Sequence, residues 1–542
     1  MSAAQNHQAD VVIAGGGIAG IVAALELLDS GQQILILDRD EKSRFGGLAR
    51  DSFGAMFFVD TAIQRCSGFR DSPELALKDW HSYAQFSDTD YWPKQWAEYY
   101  VNSCTTEGYH WLKQQGVRFL PIPNWVERGT DRHPGNSVPR FHIVWGSGKG
   151  LIEPLIARLY SHKNAAKLKV LFRHQVTDIE TQNGVVTGLR GVDESSGKEF
   201  VAQAENTIIA SGGICGSIER IKENWFADWG EPPQLILNGS HRYAEGRLHD
   251  AAQKTGANVT HLDRNWLYPA GIRHPQPRHP NHGLSIIPCK SALWLDAQGR
   301  RFGPEPLVGG FDAREIVETI CRQEHKYSWQ VLNKRIAVRE LSISGSEHNP
   351  ALRDKKALKF IRGFLFGAEG LVEKMLSESE DFIVANSLDE LADKMQKHSE
   401  EGAVFDTQAM KQAVRDYDKS VTDRSLPQDR QSELIDKLRE YWPDRIRSCK
   451  LQAIDDARAY PLIAIREHIL SRKSLGGIQT DLQSRVLSKQ GEVLPNLYAV
   501  GEAAGYGGGG IHGHRSLEGT FLGGCVLSAR LAGADILDRK VN

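Results

Sequence analysis

The chain has 542 residues, with 66 Lys plus Arg against 68 Asp plus Glu and a formal net charge of −2. This near balance argues against nucleic-acid binding by a basic surface, and no apolar run reaches the roughly 18–20 residues that span a bilayer. The first ten residues lack the basic start and apolar core of a signal peptide, and the seven cysteines form no CxxC pair. We therefore expect a cytoplasmic protein with two domains, or with one domain and a large insertion.

Residues 10–40 have the strand–helix–strand pattern of a dinucleotide site. A short apolar run, Val11–Ala14, precedes a Gly-x-Gly-x-x-Gly that opens a helical pattern, and a second apolar run, Ile34–Leu37, ends at an acidic residue. The glycines permit a tight turn and close approach of a pyrophosphate, the helix N-terminus offers N–H groups, and the acid can accept from ribose hydroxyls. The residues predicted from this unit to bind a cofactor are Gly15, Gly17, Ile18, Ala19, Gly20, Asp38 and Arg39.

A second small-residue loop follows at residues 46–54 and favours FAD over NAD, because a flavin must continue inward past the pyrophosphate. Further along, alternation over residues 170–192 with a turn at Asn183-Gly184 predicts a hairpin, which a scaffold role alone would also explain. A buried strand then ends in Ser-Gly-Gly at residues 211–213. The cofactor-binding residues predicted from these segments are Gly46, Gly47, Leu48, Ala49, Ser52, Gly54, Val176, Ser211 and Gly212.

The order of GGGIAG, Asp38, GGLA, the ASGG strand end, LGGIQTD (475–481) and NLYAVGEAAG (496–505) resembles the FAD-dependent fumarate reductase and 3-ketosteroid dehydrogenase superfamily. The resemblance covers most of the chain and is nearest to a subgroup of FAD-binding dehydrogenases. It implies an α/β fold, with a Rossmann-like FAD-binding domain that is split in sequence (1–261 and 451–542) by an inserted α+β cap domain (262–450).

The resemblance also implies how the C-terminal part contributes to the cofactor site. A last buried strand would carry Gly501 and Glu502 to the flavin, and a closing helix would begin near residue 517. Non-covalent FAD is expected, because residues 45–57 contain no histidine where relatives attach the flavin. The cofactor-binding residues implied here are Gly501, Glu502, Leu517, Gly519, Thr520 and Phe521.

The chemistry that the resemblance implies is hydride transfer between flavin N5 and a carbon adjacent to a carbonyl, which requires a carbonyl donor, an acid/base and an apolar pocket. A fumarate reductase would have a tail reading His-Gly-x-Asn-Arg, whereas here His512-Gly513 is followed by an arginine one place early, and Val308 stands where a relay arginine belongs. A ketosteroid dehydrogenase would have a tail tyrosine, and Tyr506 lies several residues early. Both alternatives therefore remain open, with hydrophobic enones favoured over a small unsaturated acid.

Histidine suits proton transfer near neutral pH, and arginine suits a carboxylate or enolate oxygen. Structural roles remain open for each candidate, and Glu518 is expected to orient a neighbouring side chain in the tail. The residues predicted to take part in catalysis are His512, His514, Arg515, Tyr506, Tyr268 and Arg466.

No metal site is predicted, because His274, His279 and His282 lie in a proline-rich loop without ligand spacing. We predict an FAD-dependent oxidoreductase acting on a CH–CH bond, with a small-molecule substrate and a separate electron donor or acceptor, since no haem-attachment or iron–sulfur cysteine pattern is present. A non-catalytic flavin-binding protein is the alternative from another class, and the oligomeric state stays open.

Overall fold

The computed structural model describes residues 5–400, 402–423 and 425–538. The strands within these residues are β1 Gln5–Gln8, β2 Val11–Ala14, β3 Ile34–Leu37, β4 Ala55–Phe57, β5 Phe141–Ile143, β6 Leu168–Leu171, β7 His174–Gln182, β8 Val185–Asp193, β9 Lys198–Gln203, β10 Asn206–Ile209, β11 Leu237–Asn238, β12 Val259–Thr260, β13 Asn265–Arg273, β14 Gly283–Ile287, β15 Leu293–Asp296, β16 Tyr327–Asn333, β17 Ser342–Ile343, β18 Phe382–Ala385, β19 Leu462–Ser474, β20 Gly477–Ile478, β21 Arg485–Leu487 and β22 Val493–Ala499.

The α-helices within the same residues are α1 Ile18–Leu28, α2 Gly47–Asp51, α3 Ala62–Cys66, α4 Pro73–Ala84, α5 Tyr91–Ser103, α6 Trp111–Gln114, α7 Ser147–Ser161, α8 Ile218–Glu223, α9 Arg247–Lys254, α10 Ala313–Cys321, α11 Lys334–Glu340, α12 Pro350–Arg353, α13 Ala357–Phe366, α14 Glu369–Glu378, α15 Leu388–Lys397, α16 Thr407–Thr422, α17 Arg430–Arg439, α18 Trp442–Arg447 and α19 Thr520–Ile536. Among the described helices, none is both long enough and apolar enough to cross a membrane.

The first lobe is built on a six-stranded sheet in the order β21-β22-β10-β2-β3-β6, parallel except for β21. Every residue of β2 and β3 is buried, as expected for a sheet covered on both faces. Helices α1 and α19 pack together on one face, and the four-stranded sheet β1-β9-β8-β7 covers the other. The predicted hairpin of β7 and β8 is present, with Asn183 and Gly184 both at positive φ in its turn.

The split of this lobe in sequence is confirmed by the pairing of β22 beside β10. Four of the parallel strands come from residues 11–209, and the fifth comes from residues 493–499. The predicted Rossmann-like fold therefore depends on a strand near the C-terminus.

The second lobe contains a mixed sheet in the order β15-β16-β19-β13-β14-β17, with β11 and β18 also paired to β19. Helices α10–α18 lie in the same part of the chain, so this lobe has the predicted α+β composition. Strands β11 and β19 lie outside residues 262–450, so the predicted boundaries do not coincide with the ends of this sheet. The cause is β19, a thirteen-residue strand whose centre, Arg466-Glu467-His468, has a polar sequence but lies inside the sheet.

Candidate active site

The turn between β2 and α1 and the first turn of α1 are packed so tightly that a glycine in each admits no side chain. A Cβ on Gly15, whose φ is +112°, would lie 2.3 Å from the carbonyl oxygen of Ala210, and one on Gly20 would lie 2.0 Å from the carbonyl oxygen of Gly15. Gly17 caps α1, and a Cβ there would meet nothing within 4 Å. Gly17 therefore faces open space at a helix N-terminus, where N–H groups favour an anion such as a pyrophosphate.

The second glycine loop lies directly against the first. The N–H of Gly46 donates to the carbonyl of Gly16 at 3.0 Å, and a Cβ on Gly47 would lie 3.2 Å from Cα of Gly17. Gly46 and Gly47 have φ of +112° and +58°, a region that glycine adopts without strain. The two loops therefore form one wall, which a cofactor can follow past its pyrophosphate.

Asp38 stands at the end of β3 and accepts a hydrogen bond from the N–H of Asp40 at 2.9 Å. Burial raises the pKa of its carboxyl, and the Asp40 N–H partly opposes that shift. Arg39 beside it forms ion pairs of 3.0 Å with Glu194 and with Glu245. Asp38 thus keeps acceptor capacity for ribose hydroxyls, while the Arg39 side chain is held by protein carboxylates.

A cavity of about 1170 Å³ runs from these loops into the second lobe. It exceeds the roughly 300–1,000 Å³ typical of a single small-molecule site, and it therefore has room for a dinucleotide and a substrate. The predicted cofactor-binding residues that line it are Gly15, Gly17, Ile18, Ala19, Asp38, Arg39, Gly46, Gly47, Leu48, Ala49, Ser52, Gly54, Val176, Ser211, Gly212, Glu502, Gly519 and Phe521.

Four predicted cofactor-binding residues lie behind the wall instead, at Gly20, Gly501, Leu517 and Thr520. A Cβ on Gly501 would lie 2.9 Å from Cβ of Ala19, so this residue packs against α1. The Thr520 hydroxyl donates to the carbonyl of Leu517 at 2.6 Å and is committed to the turn before α19. These residues shape the wall without facing the cavity.

Glu502 faces the cavity from the end of β22, and its Oε1 accepts from the N–H of Ser474 at 2.9 Å. Burial raises the pKa of its carboxyl to about 6, against the opposing effects of the Ser474 N–H and of Lys473. A carboxyl with this pKa changes charge near neutral pH.

The glycine-rich stretch from Gly505 to Gly513 is a packed coil. All six of its glycines have positive φ. A Cβ on Gly507 would lie 2.5 Å from the Trp96 ring, and one on Gly508 would lie 2.8 Å from the backbone of Trp92. The glycines therefore let the backbone pass between the indoles of α5 and the cavity wall.

His512 lies at the end of this coil and is fully buried. Its Nε2 is 2.8 Å from the Thr520 hydroxyl, and its ring stacks on Trp80 with centroids 5.9 Å apart. Burial, assisted by the charge of Lys473, lowers its pKa well below the usual value. His512 is therefore neutral at physiological pH, and it does not line the cavity.

His514 and Arg515 are also held away from the cavity. Burial and the charges of Arg264 and Arg314 lower the pKa of His514 to about 3. The Arg515 guanidinium donates to Asp312 at 3.0 Å and also hydrogen-bonds Gln85. Asp312 therefore balances the charge of Arg515 inside the protein, and Gln85 takes up a further N–H.

Two of the three remaining predicted catalytic residues, Tyr506 and Arg466, occupy different places. Tyr506 lines the cavity but is 3% exposed, and its ring packs on His512 and Phe521. Arg466, on β19, donates to Asp381 at 3.0 Å and to the carbonyl of His398 at 2.7 Å. The structure therefore does not bring Arg466 to the cavity, because Asp381 holds its side chain elsewhere.

Tyr268 lies on the cavity wall in a cluster with Lys473 and Glu518. Its hydroxyl donates to Glu518 Oε1 and accepts from Lys473 Nζ at 2.9 Å. Glu518 also accepts from Trp266 Nε1 at 2.7 Å, and Lys473 Nζ lies 3.8 Å from the centroid of the Phe521 ring. The cluster joins β13, β19 and the turn before α19, and all three titratable side chains line the cavity.

Burial, followed by the charge of Glu518, raises the pKa of Tyr268 well above the usual value. Burial lowers the pKa of Lys473 to about 8, although Glu518 opposes that shift. A neutral phenol between an ammonium and a carboxylate can exchange one proton with a ligand and another with Glu518.

Glu127 is another titratable residue that lines the same cavity, and it is 6% exposed. Its Oε2 accepts from the Tyr83 hydroxyl and from the N–H of Ala313 at 3.2 Å. Burial and the nearby Asp312 raise its pKa well above the usual range. Burial therefore favours the protonated form of Glu127, which can donate a hydrogen bond into the cavity.

Sequence reasoning missed Lys473 and Glu127, and it gave Glu518 a different partner. Lys473 could have been noticed as one of two adjacent cations, Arg472 and Lys473, directly before the end of β19. Nothing local marks Glu127, because its hydrogen-bond partners, Tyr83 and Ala313, come from distant segments of the chain.

One group of residues in the described part of the chain has metal-ligand types, namely His274, Glu347 and His348. His274 Nδ1 accepts from the N–H of Gln276 at 2.9 Å, so Nε2 carries the ring proton and points at Glu347 Oε1, 3.5 Å away. In this tautomer Nε2–H is directed at Glu347 and the Nδ1 lone pair is taken by Gln276, so neither ring nitrogen is free to bind a metal. Neither His279 nor His282 belongs to the group.

The chain is similar to known proteins over nearly its whole length. The family model described as FAD binding domain matches residues 10–522. A KsdD-like steroid dehydrogenase from Mycobacterium tuberculosis is 42% identical over 98% of this chain and 96% of its own length, and one from Mycolicibacterium smegmatis is 40% identical over 95% and 96%.

Among solved structures, 3-ketosteroid Δ1-dehydrogenase from Sterolibacterium denitrificans matches 98% of this chain and 100% of its own, with a TM-score of 0.73 and 14% identity. A flavocytochrome c3 fumarate reductase matches 98% of this chain and 78% of its own, with a TM-score of 0.68 and 18% identity. The glycine walls, Asp38 and the large cavity fit FAD. The chain therefore belongs to the FAD-binding domain family and, within it, to the same family as the KsdD-like steroid dehydrogenase of Mycobacterium tuberculosis.

Proposed function

We propose that this protein is an FAD-dependent dehydrogenase that removes two hydrogens from adjacent carbons beside the carbonyl of a hydrophobic, ketosteroid-like molecule. The observation that carries the proposal is the position of Tyr268 on the cavity wall, between Lys473 and Glu518. The relatives described as steroid dehydrogenases support the same substrate class. When bound, FAD supplies the acceptor for the hydride and its two electrons.

The protein's own side chains transfer the proton and bind the carbonyl oxygen. The Tyr268 oxygen takes the proton from the carbon next to the carbonyl, and its own proton passes to Glu518. Lys473 holds the phenol oxygen by its 2.9 Å hydrogen bond. Glu127 lies on the same wall, where burial favours its protonated form, and it donates to the carbonyl oxygen and stabilises the charge that develops there.

The apolar lining supports a bulky substrate. Phe119, Leu120, Ile122, Phe141 and Trp145 lie along the cavity. Such walls exclude water from the reacting carbons, which strengthens the hydrogen bonds of Tyr268 and Glu127.

Reduction of a small unsaturated acid is the second candidate, and the fumarate reductase fold neighbours support it. A dicarboxylate requires cations that face the substrate. Arg515, the predicted cation of the tail, is paired with Asp312. This pairing favours a ketone substrate over a dicarboxylate.

The decisive experiment is anaerobic mixing of the holoenzyme with candidate substrates. We expect a saturated 3-ketosteroid to bleach the flavin absorbance and to appear as the unsaturated ketone. Reoxidation of the reduced enzyme by fumarate, with no bleaching by steroid, would favour the second candidate. A spectrum unchanged by both compounds would favour a flavin-binding protein without turnover.

Two further features belong to the proposal. We infer that FAD is held without a covalent bond, so acid denaturation should release all of the flavin into the supernatant. A separate electron acceptor then reoxidises the flavin. The proposed location of the protein is the cytoplasm.

A further inference from the structure

We propose that helix α13 and the basic residues around it dock this protein on an anionic lipid surface, with the mouth of the cavity facing the lipid. This inference concerns a surface outside the cofactor site. It rests on the exposure of one helix, on its charge and on its position beside the cavity.

Helix α13 carries a concentration of exposed apolar side chains. Leu358 is 86% exposed, Ile361 52%, Leu365 41% and Phe366 71%, and none of the ten residues of the helix is buried. Leu358, Ile361 and Leu365 follow the i, i+3, i+7 spacing that places side chains on one side of a helix. Four large apolar side chains on ten residues form a contiguous patch, unlike scattered exposed residues that require no explanation.

The segment around the helix is strongly basic. Residues 353–366 contain five Lys or Arg and one Asp, in a chain whose net charge is −2. Asp354 pairs with Arg353 and Lys356. Within the described residues, Lys355, Lys359 and Arg362 form no ion pair with a carboxylate.

The exposed apolar side chains of α13 and the basic residues around it together indicate what binds this surface. An apolar stripe flanked by Lys and Arg is the pattern of helices that lie in the membrane interface, where the cations reach lipid phosphates and the apolar side chains enter the acyl boundary. A second copy of this chain would bring the same positive charge to the contact and be repelled. An anionic bilayer complements both the charge and the apolar surface.

The other side of the helix forms part of the cavity wall. Phe360 and Phe364 line the cavity, and the Phe360 ring packs edge-on against Trp145 with centroids 5.6 Å apart. Ile361 and Ile287 line the cavity and are also 52% and 44% exposed, so they lie at its mouth. A hydrophobic molecule could therefore pass from lipid into the cavity without crossing water, a consequence that rests on the proposed function, whereas the docking does not.

The test is co-sedimentation of the holoenzyme with phosphatidylcholine vesicles prepared with and without phosphatidylglycerol. We expect binding to the anionic vesicles that weakens as salt is added. The double variant Leu358→Ser/Phe366→Ser should reduce binding about tenfold, and Arg362→Glu should reduce it about fivefold, on the anionic vesicles.

Matched controls remove similar groups elsewhere. Tyr91→Ser/Val404→Ser deletes two exposed apolar side chains away from α13, and Lys489→Glu reverses an exposed charge. These variants should bind like the wild type. No binding of the wild type to anionic vesicles, or equal losses in the controls, would overturn the proposal.

Light scattering without lipid separates docking from self-association. A dimer that Leu358→Ser/Phe366→Ser abolishes would overturn the lipid assignment in favour of a second copy. Turnover of dissolved ketosteroid should be unchanged in this double variant, because neither side chain lines the cavity. Vesicle binding without ketosteroid turnover would reject only the proposed function, and turnover without vesicle binding would reject only the docking.

Discussion

Two tyrosines make the same kind of hydrogen bond in different surroundings, which allows a matched comparison. The Tyr268 hydroxyl donates to Glu518 at the cavity, and the Tyr498 hydroxyl donates to Asp535 at 2.9 Å away from it. If Tyr268 transfers the proton, Tyr268→Phe should slow flavin bleaching by about 10²–10⁴-fold while flavin content is retained. Tyr498→Phe should bleach at the wild-type rate. Equal rates in the two variants, measured by anaerobic stopped flow, would remove Tyr268 from the mechanism.

Lys473 gives the site a pH dependence. Burial lowers its pKa to about 8, so the ammonium that donates to Tyr268 is lost as pH rises through that value. The rate of flavin bleaching should therefore fall above about pH 8. In Lys473→Arg the side chain stays charged, and the fall near pH 8 should vanish. A wild-type profile that is flat from neutral pH to about pH 9.5 would contradict this role of Lys473.

At the level of single residues, the sequence predicts which residue types lie in or near the site better than it predicts their burial and their charge partners. Tyr268 was predicted and lies on the cavity wall. His512 and Arg515 are where the tail motif places them, yet burial and Asp312 determine whether they can act. Asp312 lies 203 positions from Arg515 in the chain, a separation over which one sequence contains no contact information.

At the level of elements, the loop before α1 contains one glycine with no room for a side chain, Gly15, and one with room, Gly17. A Cβ on Gly17 would meet no protein atom within 4 Å, and Gly17 has an ordinary extended backbone. Gly17→Ala should therefore fold normally, but its methyl group enters the space proposed for the pyrophosphate. We expect FAD affinity to fall about tenfold or more, while the unfolding of the apoprotein in urea is nearly unchanged.

The control is Gly370→Ala in α14, where an added Cβ also meets nothing within 4 Å. It should leave FAD affinity unchanged and slightly stabilise the helix. Wild-type FAD affinity in Gly17→Ala, by fluorescence titration, would show that the cofactor lies elsewhere.

Elements with a local pattern were predictable, and β19 was not. The β2–α1–β3 unit and the β7–β8 hairpin follow from periodicity and turn residues within about 30 positions. Strand β19 contains Arg466 and His468 at its centre, which usually indicates a solvated segment. Both side chains lie near Asp381, the first at 3.0 Å and the second at 3.8 Å, and this distant carboxylate makes the strand possible.

At the level of the whole molecule, buried neutral histidines make stability depend on pH. Burial lowers the pKa of His142 and of His249 to about 4. The unfolded chain binds a proton at each as pH falls below about 6.5, whereas the folded chain does not until about pH 4, so the free energy of unfolding falls in this window. Each histidine should contribute about 1.4 kcal/mol per pH unit.

Urea unfolding of the holoprotein at about pH 7.5 and about pH 5.5 tests this. His249→Leu should make the loss of free energy smaller, because it removes one of the two buried rings whose protonation favours the unfolded chain. His110→Gln, at an exposed position, should not. A pH dependence identical in His249→Leu and the wild type would exclude this origin.

The insertion of β22 beside β10 has a consequence for how the protein is made. The ribosome must add 290 residues after Ile209 before Ala499 exists, which takes about 15–60 s at common rates of synthesis. Until then, the β10 edge of the sheet that will hold FAD has no neighbour, and α1 lacks α19. The nascent chain therefore carries an unpaired sheet edge for more than half of its synthesis, and the sheet beside the FAD site is complete only once nearly the whole chain has been translated.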